Sequence, residues 1–343
     1  MALVKKLVIG VVGLILGLLV VGFFLPRNVH LERSVTIDAP QHTVFTLLSG
    51  YGRFNEWSPW SKLDPETVYT FEGPSHGVGA AMAWTSDDPS VGSGNQRITA
   101  LTVPSQIKTD LDFGPQGTAD AFFNLEAEGA STRVTWGFDT DLGVNPLGRY
   151  FGLVLDSMLG PQYEEGLANL KVLAEELPKT DFAGLVTERV EVSPSPIAYF
   201  SGSSTQEQAD IEEALGAAFE AVEGFLSDRG LEASGPPITV NKVWGEGVYA
   251  FDAALPLAQA PSGETGAGGE TEVQIGTTWA GSALKTVHAG SWSTMEATYE
   301  QLDAYLKTLG WELAGPPWEI WLTDPESTPE DELRTEIYFP LAG

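Results

Sequence analysis

The pattern of apolar and polar positions changes character several times along the chain, and each change predicts a different element. Leu7–Leu25 (LVIGVVGLILGLLVVGFFL) is apolar or glycine throughout, 19 residues without a charge. As a helix it would rise about 28 Å, close to the ~30 Å hydrocarbon core of a bilayer, so it predicts a transmembrane helix. Val29–Ile37 alternates and is β-branched, which predicts a strand, and Asp38-Ala39-Pro40 then predicts a turn into a short helix through Val44–Leu48. Six short alternating runs follow: Val68–Glu72, Ala80–Thr85, Gln96–Val103, Ile107–Phe113, Thr118–Leu125 and Thr132–Thr140. With no helical period between them they predict an antiparallel meander. Tyr163, Leu167, Leu170, Leu173 and Leu177 then step by three and four, one stripe of a long helix. Pro161 after Gly160 is expected to start or kink that helix and separate it from the more apolar Leu147–Leu159.

Beyond Pro178–Asp181, which reads as a linker, Leu185–Val192 and Ile197–Ser201 predict strands. Ile211, Leu215, Phe219, Val222 and Leu226 mark a helix over Gln206–Arg229, and Met295, Tyr299, Leu302, Leu306 and Leu309 mark another. Both end alike: FLSDRGLEASGPP at 225–237 and YLKTLGWELAGPP at 305–317 are offset by 80 positions, the signature of a duplicated helix–turn–strand unit. Between the copies, PSGETGAGGE at Pro261–Glu270 offers no apolar anchor and predicts a mobile loop. The expected organisation is an anchor (1–28), a first domain (29–178), a linker (179–182) and a second domain (183–343). The fold class is α+β.

Composition narrows the chemistry. Eighteen Lys and Arg stand against 47 Asp and Glu, a net charge of −29. A body this acidic repels phosphate, so no nucleic-acid partner is expected. The two lysines before the apolar run, Lys5 and Lys6, place the N-terminus in the cytoplasm by the positive-inside rule, although Arg27 and Arg33 follow it. The expected location is a bacterial inner membrane, single-pass, with the C-terminal domains in the periplasm. An apolar core of 19 residues exceeds a secretory signal's usual ~7–15 and lacks a small-residue cleavage site, so an uncleaved anchor is favoured over a signal peptide. Gly10, Gly13 and Gly17 fall near one face of the anchor and could seat a membrane protein partner. Without cysteine there are no disulfides, thiolate metal sites or cysteine nucleophiles, and His30, His42, His76 and His288 lack ligand spacing. No metal or cofactor is expected. Gly73-Pro74-Ser75-His76-Gly77 fits G-x-S-x-G but lies between two strands with a proline at its second place, which a nucleophile elbow does not allow.

A strand, a short helix, six strands and a long helix resemble the START/polyketide-cyclase (SRPBCC) superfamily over about residues 29–177. The particular signs are VTIDAPQHTVFTLLSGYGRFNEWSPW at the start and TRVTWGFDTDLG…LGPQYEEGLANLKVLAE at the end. The resemblance implies a helix-grip fold, a curled sheet around the long helix and a deep apolar cavity. It makes Trp57, Trp60, Trp84, Phe113, Phe123, Trp136 and Phe138 candidates to line that cavity, or else to fill the core.

The duplicated unit is similar to GyrI-like small-molecule-binding domains over about 183–343. The matching residues are H-A-G-S-W at His288–Trp292, Glu319 and Asp324-Pro325 within PPWEIWLTDP, and TEIYFPL at Thr335–Leu341. Trp292 and Trp321 stand where that family often has tyrosine. Aligning the copies on G-P-P sets Ile238-Thr239-Val240-Asn241 against Trp318-Glu319-Ile320-Trp321, so the acid and its neighbouring indole belong to the second copy alone. On a strand Glu319 and Trp321 share a face, and a carboxylate beside an indole suits an amphipathic cation. His288 and Trp292 are further candidates for this pocket. The function expected is extracytoplasmic binding of a hydrophobic or cationic amphipathic small molecule. The alternatives are a hydrolase or cyclase using Glu319 as acid/base, and an accessory subunit of a membrane complex.

Overall fold

The computed structural model describes residues 2–261, 272–325 and 327–342. Of the loop expected at Pro261–Glu270, all but Pro261 lies outside the described residues. The chain divides into two compact units, Met1–Ala183 with Ala304–Gly310 and Gly184–Asp303 with Trp311–Gly343.

The first unit opens with helix α1 (Ala2–Phe24), among the described residues the single helix long and apolar enough to cross a membrane, a test that a signal sequence also passes. Its side chains from Leu7 to Leu16 point outward and stay exposed. No atom stands within 4 Å of where a Cβ would sit on Gly10, Gly13 or Gly17. Strand β1 (Asn28–Ile37), helices α2 (Gln41–Leu48) and α3 (Phe54–Trp57), strands β2 (Val68–Glu72), β3 (Ala81–Thr85), β4 (Ser93–Thr102), β5 (Gln106–Asp112), β6 (Thr118–Glu128) and β7 (Ser131–Asp141), and helix α4 (Arg149–Glu176) follow. The strands form one antiparallel sheet in the order β1-β7-β6-β5-β4-β3-β2: a meander whose last strand receives the first. Tyr163, Leu167, Leu170 and Ala174 are the buried stripe of α4.

Of the two outcomes expected at Pro161, a kink or a new helix start, the second does not occur. Helix α4 runs unbroken through Pro161, so Leu147–Leu159 is not a separate element apart from the turn that precedes Arg149. Proline removes the bond from its own nitrogen to the carbonyl four residues earlier, which should weaken the helix at this step. A side chain from β1 spans the weak point. Arg33 donates from Nη2 to Asp156 (2.8 Å) and from Nε to Glu164 (2.9 Å), one acid on each side of Gly160-Pro161. Gly160 leaves the space: a Cβ there would stand 2.4 Å from the guanidinium.

The second unit contains β8 (Glu188–Val192), β9 (Pro196–Ser204), α5 (Gln208–Arg229), β10 (Ile238–Gly245), β11 (Val248–Pro256), β12 (Gln274–Thr277), β13 (Gly281–Ala289), α6 (Met295–Leu309) up to Asp303, β14 (Trp318–Trp321) and β15 (Arg334–Pro340). Its sheet order, β12-β9-β11-β10-β14-β15-β13-β8, shows what the sequence recurrence means. Each copy is strand–helix–strand–strand, β9-α5-β10-β11 and β13-α6-β14-β15, and the copies meet back to back through β10 and β14. Equivalent bonds recur in the two copies: Asn241 N–H to Pro317 O (2.9 Å) and Trp321 N–H to Pro237 O (3.0 Å) at an offset of 80 at both ends, and Ser234 N–H to Pro256 O (2.8 Å) and Ala314 N–H to Pro340 O (2.9 Å), where the donors are 80 apart and the accepting prolines 84. Both helices end on a left-handed glycine, Gly230 (φ 63°) and Gly310 (φ 70°), where a Cβ would be strained.

The Arg33 bridges generate a prediction. Arg33→Met keeps the aliphatic stem and removes both ion pairs, so thermal unfolding of the first unit should show a loss of about 1 kcal/mol that shrinks in high salt. An unchanged unfolding curve would mean that α4 passes its proline without this support.

Candidate functional site

The pseudo-twofold of the second unit passes through a single residue pair. In the β10–β14 ladder Ile238 faces Ile320, Val240 faces Trp318, and Thr239 faces Glu319. Thr239 and Glu319 are equivalent in the duplication, so each copy delivers the same position to the axis, but only one delivers an acid. Both are almost completely buried.

A carboxyl group in the middle of a sheet needs donors. Tyr299, in the middle of the α6 stripe, donates to Glu319 Oε1 at 2.7 Å, and Asn241 Nδ2 donates to the same oxygen at 2.8 Å. Asn241 is held in turn by the Tyr249 hydroxyl, which donates to its Oδ1 at 2.6 Å. Glu319 Oε2 is buried with no hydrogen-bond partner, as are the indole nitrogens of Trp292 and Trp321. Those two indoles nevertheless lie near enough to favour the ionised acid, as do Tyr299 and Asn241. Burial outweighs all four and raises the Glu319 pKa above the ordinary carboxylate value. Burial, reinforced by the charge of Glu319, also raises the hydroxyl pKa of Tyr299 and of Tyr249.

Glu319 opens on a cavity of about 560 Å³. Its apolar walls come from Ile211, Trp244, Trp292, Met295 and Pro317; Asn241, Tyr249 and Tyr299 supply the polar groups beside Glu319. Trp292, Met295 and Tyr299 recur at three and four residues, so one side of the α6 entry lines the cavity. Lys242 at the wall is engaged by Asp252 (2.5 Å), while Glu296 adds another acid, so the lining favours positive charge.

The sequence candidates fall in four places. Glu319 and Trp292 come together in the cavity. Trp321 stands behind it, its ring 6.0 Å from Trp292 and 5.9 Å from Phe219, within the cluster under α5. His288 is outside the lining: its ring contacts Thr298 Oγ1 (2.8 Å), Thr294 Oγ1 (3.2 Å) and Ser291 O (3.2 Å), tying down the turn that presents Trp292. In the first unit Trp57, Trp60 and Trp136 pack with Phe123 and Tyr163. Trp136 stacks on Tyr163 (4.0 Å) and Phe123 (5.3 Å) and meets Trp57 edge-on (5.4 Å). Phe138 is buried in the same core, while Trp84 pairs with Phe113 at 5.9 Å at its margin.

Sequence reasoning missed Asn241, Tyr249 and Tyr299. Tyr299 left a signal, a hydroxyl in a stripe otherwise of Met and Leu. Asn241 and Tyr249 left none, because their roles depend on strands that meet only in the folded sheet.

Two family models match the chain. Residues 28–175 match a model described as polyketide cyclase / dehydrase and lipid transport, and residues 188–342 match the GyrI-like small molecule binding domain. The chain is a fusion of these two families. Among solved structures the fusion is similar to the C-terminal domain of EcmrR at 13% identity and TM-score 0.40, over 46% of this chain and 98% of that one. It is also similar to an uncharacterized conserved protein from Listeria innocua (14%, TM-score 0.36, 46% of this chain and 92% of that one) and to a protein from Arthrobacter aurescens (18%, TM-score 0.32, 42% and 87%). No curated protein matches the chain.

The raised pKa of Glu319 has a consequence for stability. A carboxyl group raised on folding contributes stability that is fully present below its unfolded value and is lost as pH rises through the folded one. Urea unfolding of the second unit should therefore weaken with rising pH above the ordinary carboxylate range, and Glu319→Gln should flatten that dependence. Parallel pH profiles for the two proteins would contradict the buried acid.

Proposed function

We propose that this chain is a membrane-anchored binding protein whose GyrI-like domain takes lipophilic cations at Glu319. One observation carries the reading: a buried carboxylic acid, one oxygen of which makes no hydrogen bond, lines an aromatic cavity whose lysine, Lys242, is already held by Asp252. Ionising Glu319 there is unfavourable, and a bound cation removes the penalty by charge pairing and by cation–π contact with the indole of Trp292. A ligand of that chemistry should therefore displace a proton.

The rest of the proposal follows the sequence. Retained, α1 would hold the protein in a bacterial inner membrane, with residues 29–178 and 183–343 as periplasmic domains joined by the linker at 179–182. Lys5 and Lys6 support that orientation. The first domain would hold a hydrophobic molecule against Trp57, Trp60, Trp84 and Trp136, with the half-buried Trp60 and Trp84 nearest to entry. A second reading uses the same raised acid differently: a carboxyl group that keeps its proton to higher pH is suited to general acid–base catalysis, so Glu319 could serve a hydrolase.

Titrating the protein with matched cationic and neutral aromatics tests the proposal. Glu319→Gln should weaken cations by about 1.5–3 kcal/mol, roughly tenfold or more, and barely change neutral analogues. Trp292→Ala should weaken both classes, because stacking area is lost with the cation–π contribution. Wild-type cation affinity should rise with pH, and calorimetry in buffers of different ionisation enthalpy should show proton release. Equal affinities for the two ligand classes, or an unchanged Glu319→Gln, would sink the cation reading. Turnover of an ester that Glu319→Gln abolishes while still binding would favour the enzyme.

A further inference from the structure

The first turns of α4 are built unlike the rest of the body. Leu147 in the preceding turn and Phe151, Val154 and Met158 on the helix step by four, three and four, one line along its surface, and all four are about half exposed. Val144, just before them, is 79% exposed. The line covers roughly 17 Å of helix and ends at Gly160-Pro161; the next position on it is Glu165. In a chain with 47 acids, residues 142–163 contain one, Asp156, and that one is held by Arg33.

This apolar line begins where α1 ends. Arg149 donates to the carbonyls of Phe23 (2.8 Å) and Leu25 (3.2 Å), which lack partners at a helix C-terminus, and its guanidinium lies 5.7 Å from the centre of the Phe23 ring. The Tyr150 hydroxyl donates to Leu18 O at 2.8 Å. Gly22 is required for the approach, since a Cβ there would stand 2.3 Å from Pro146 O. Leu18 is about 9 Å along α1 from its end at Phe24, so α4 starts beside α1 rather than beyond it.

We propose that the entry of α4, from Val144 to Met158, lies in the bilayer interface as a second membrane contact of the first unit. The inference rests on α1 being a retained membrane anchor. If α1 spans the bilayer, its contacts with Tyr150 and Arg149 bring the apolar line to the depth of the headgroups and upper acyl chains. Tyrosine and arginine at such a boundary keep their polar ends in the wet layer while the apolar side chains enter the lipid. The scarcity of acids in this stretch fits the same place, because anionic lipid would repel the rest of the body.

The absence of cysteine makes the test direct. Single variants Leu16→Cys, Phe151→Cys, Met158→Cys and Val103→Cys of the full chain are labelled with an environment-sensitive fluorophore and reconstituted in phosphatidylcholine/phosphatidylglycerol vesicles. Quenching is then read from lipids with a nitroxide at a shallow acyl position, for the labels at Phe151, Met158 and Val103, and at a deep acyl position, for the label at Leu16. Val103 is the aqueous control: strand register places its hairpin at the level of Ser34, some 20 Å along β1 from Asn28. Labels at Phe151 and Met158 should be quenched about threefold or more above Val103, and Leu16 should report the acyl interior. If Leu16 is quenched and Phe151 and Met158 match Val103, the interfacial contact is overturned and the anchor stands. If Leu16 itself is not quenched, the anchor reading fails and the contact fails with it.

Discussion

The second unit depends on how a buried carboxyl group is satisfied. Placing Glu319 at the sheet axis removes it from water, and an isolated charge there would cost several kcal/mol. Two donors converge on Oε1, and Tyr249 fixes the asparagine that is one of them. The arrangement is half complete, because Oε2 and two indole nitrogens remain unpartnered. A fully satisfied network would be a rigid core, whereas this one keeps a polar demand facing a cavity. The duplication explains how such a site arises: the fold brings equivalent positions together at its axis, and Thr239 opposite Glu319 leaves space for a single acid and its donors.

In the first unit α4 does two unlike things, and the change falls at Gly160-Pro161. Beyond that step its buried stripe packs into the sheet, with Gly166 admitting the ring of Trp136, which a Cβ would meet at 2.8 Å. Before it the helix carries an exposed apolar line and receives the end of α1. A proline at the junction would favour two helices. Arg33 holds acids on both sides of it, and one continuous helix connects the aromatic interior to the end of the apolar helix.

The sequence by itself determined the elements whose signal is local. The apolar run of α1, the alternation of the meander strands and the stripes of α4, α5 and α6 are periodicities that any packing of the chain must respect, and observed ends differ from expected ones by a few residues. The recurrence of G-P-P exposed the duplication, and comparing the copies singled out Glu319. Local signals stopped at Pro161, where sequence preference argues for a break, the helix continues, and an arginine from β1 holds an acid on each side of the step. Tertiary structure alone decided which residues surround the acid. Asn241, Tyr249 and Tyr299 come from three separate elements, Trp321 was set behind the cavity and not in it, and His288 was assigned to the turn that carries Trp292. The physical reason is that hydrogen bonds to a buried group are made by whichever side chains the sheet register and helix packing bring within 3 Å, and chain-local patterns do not encode that register.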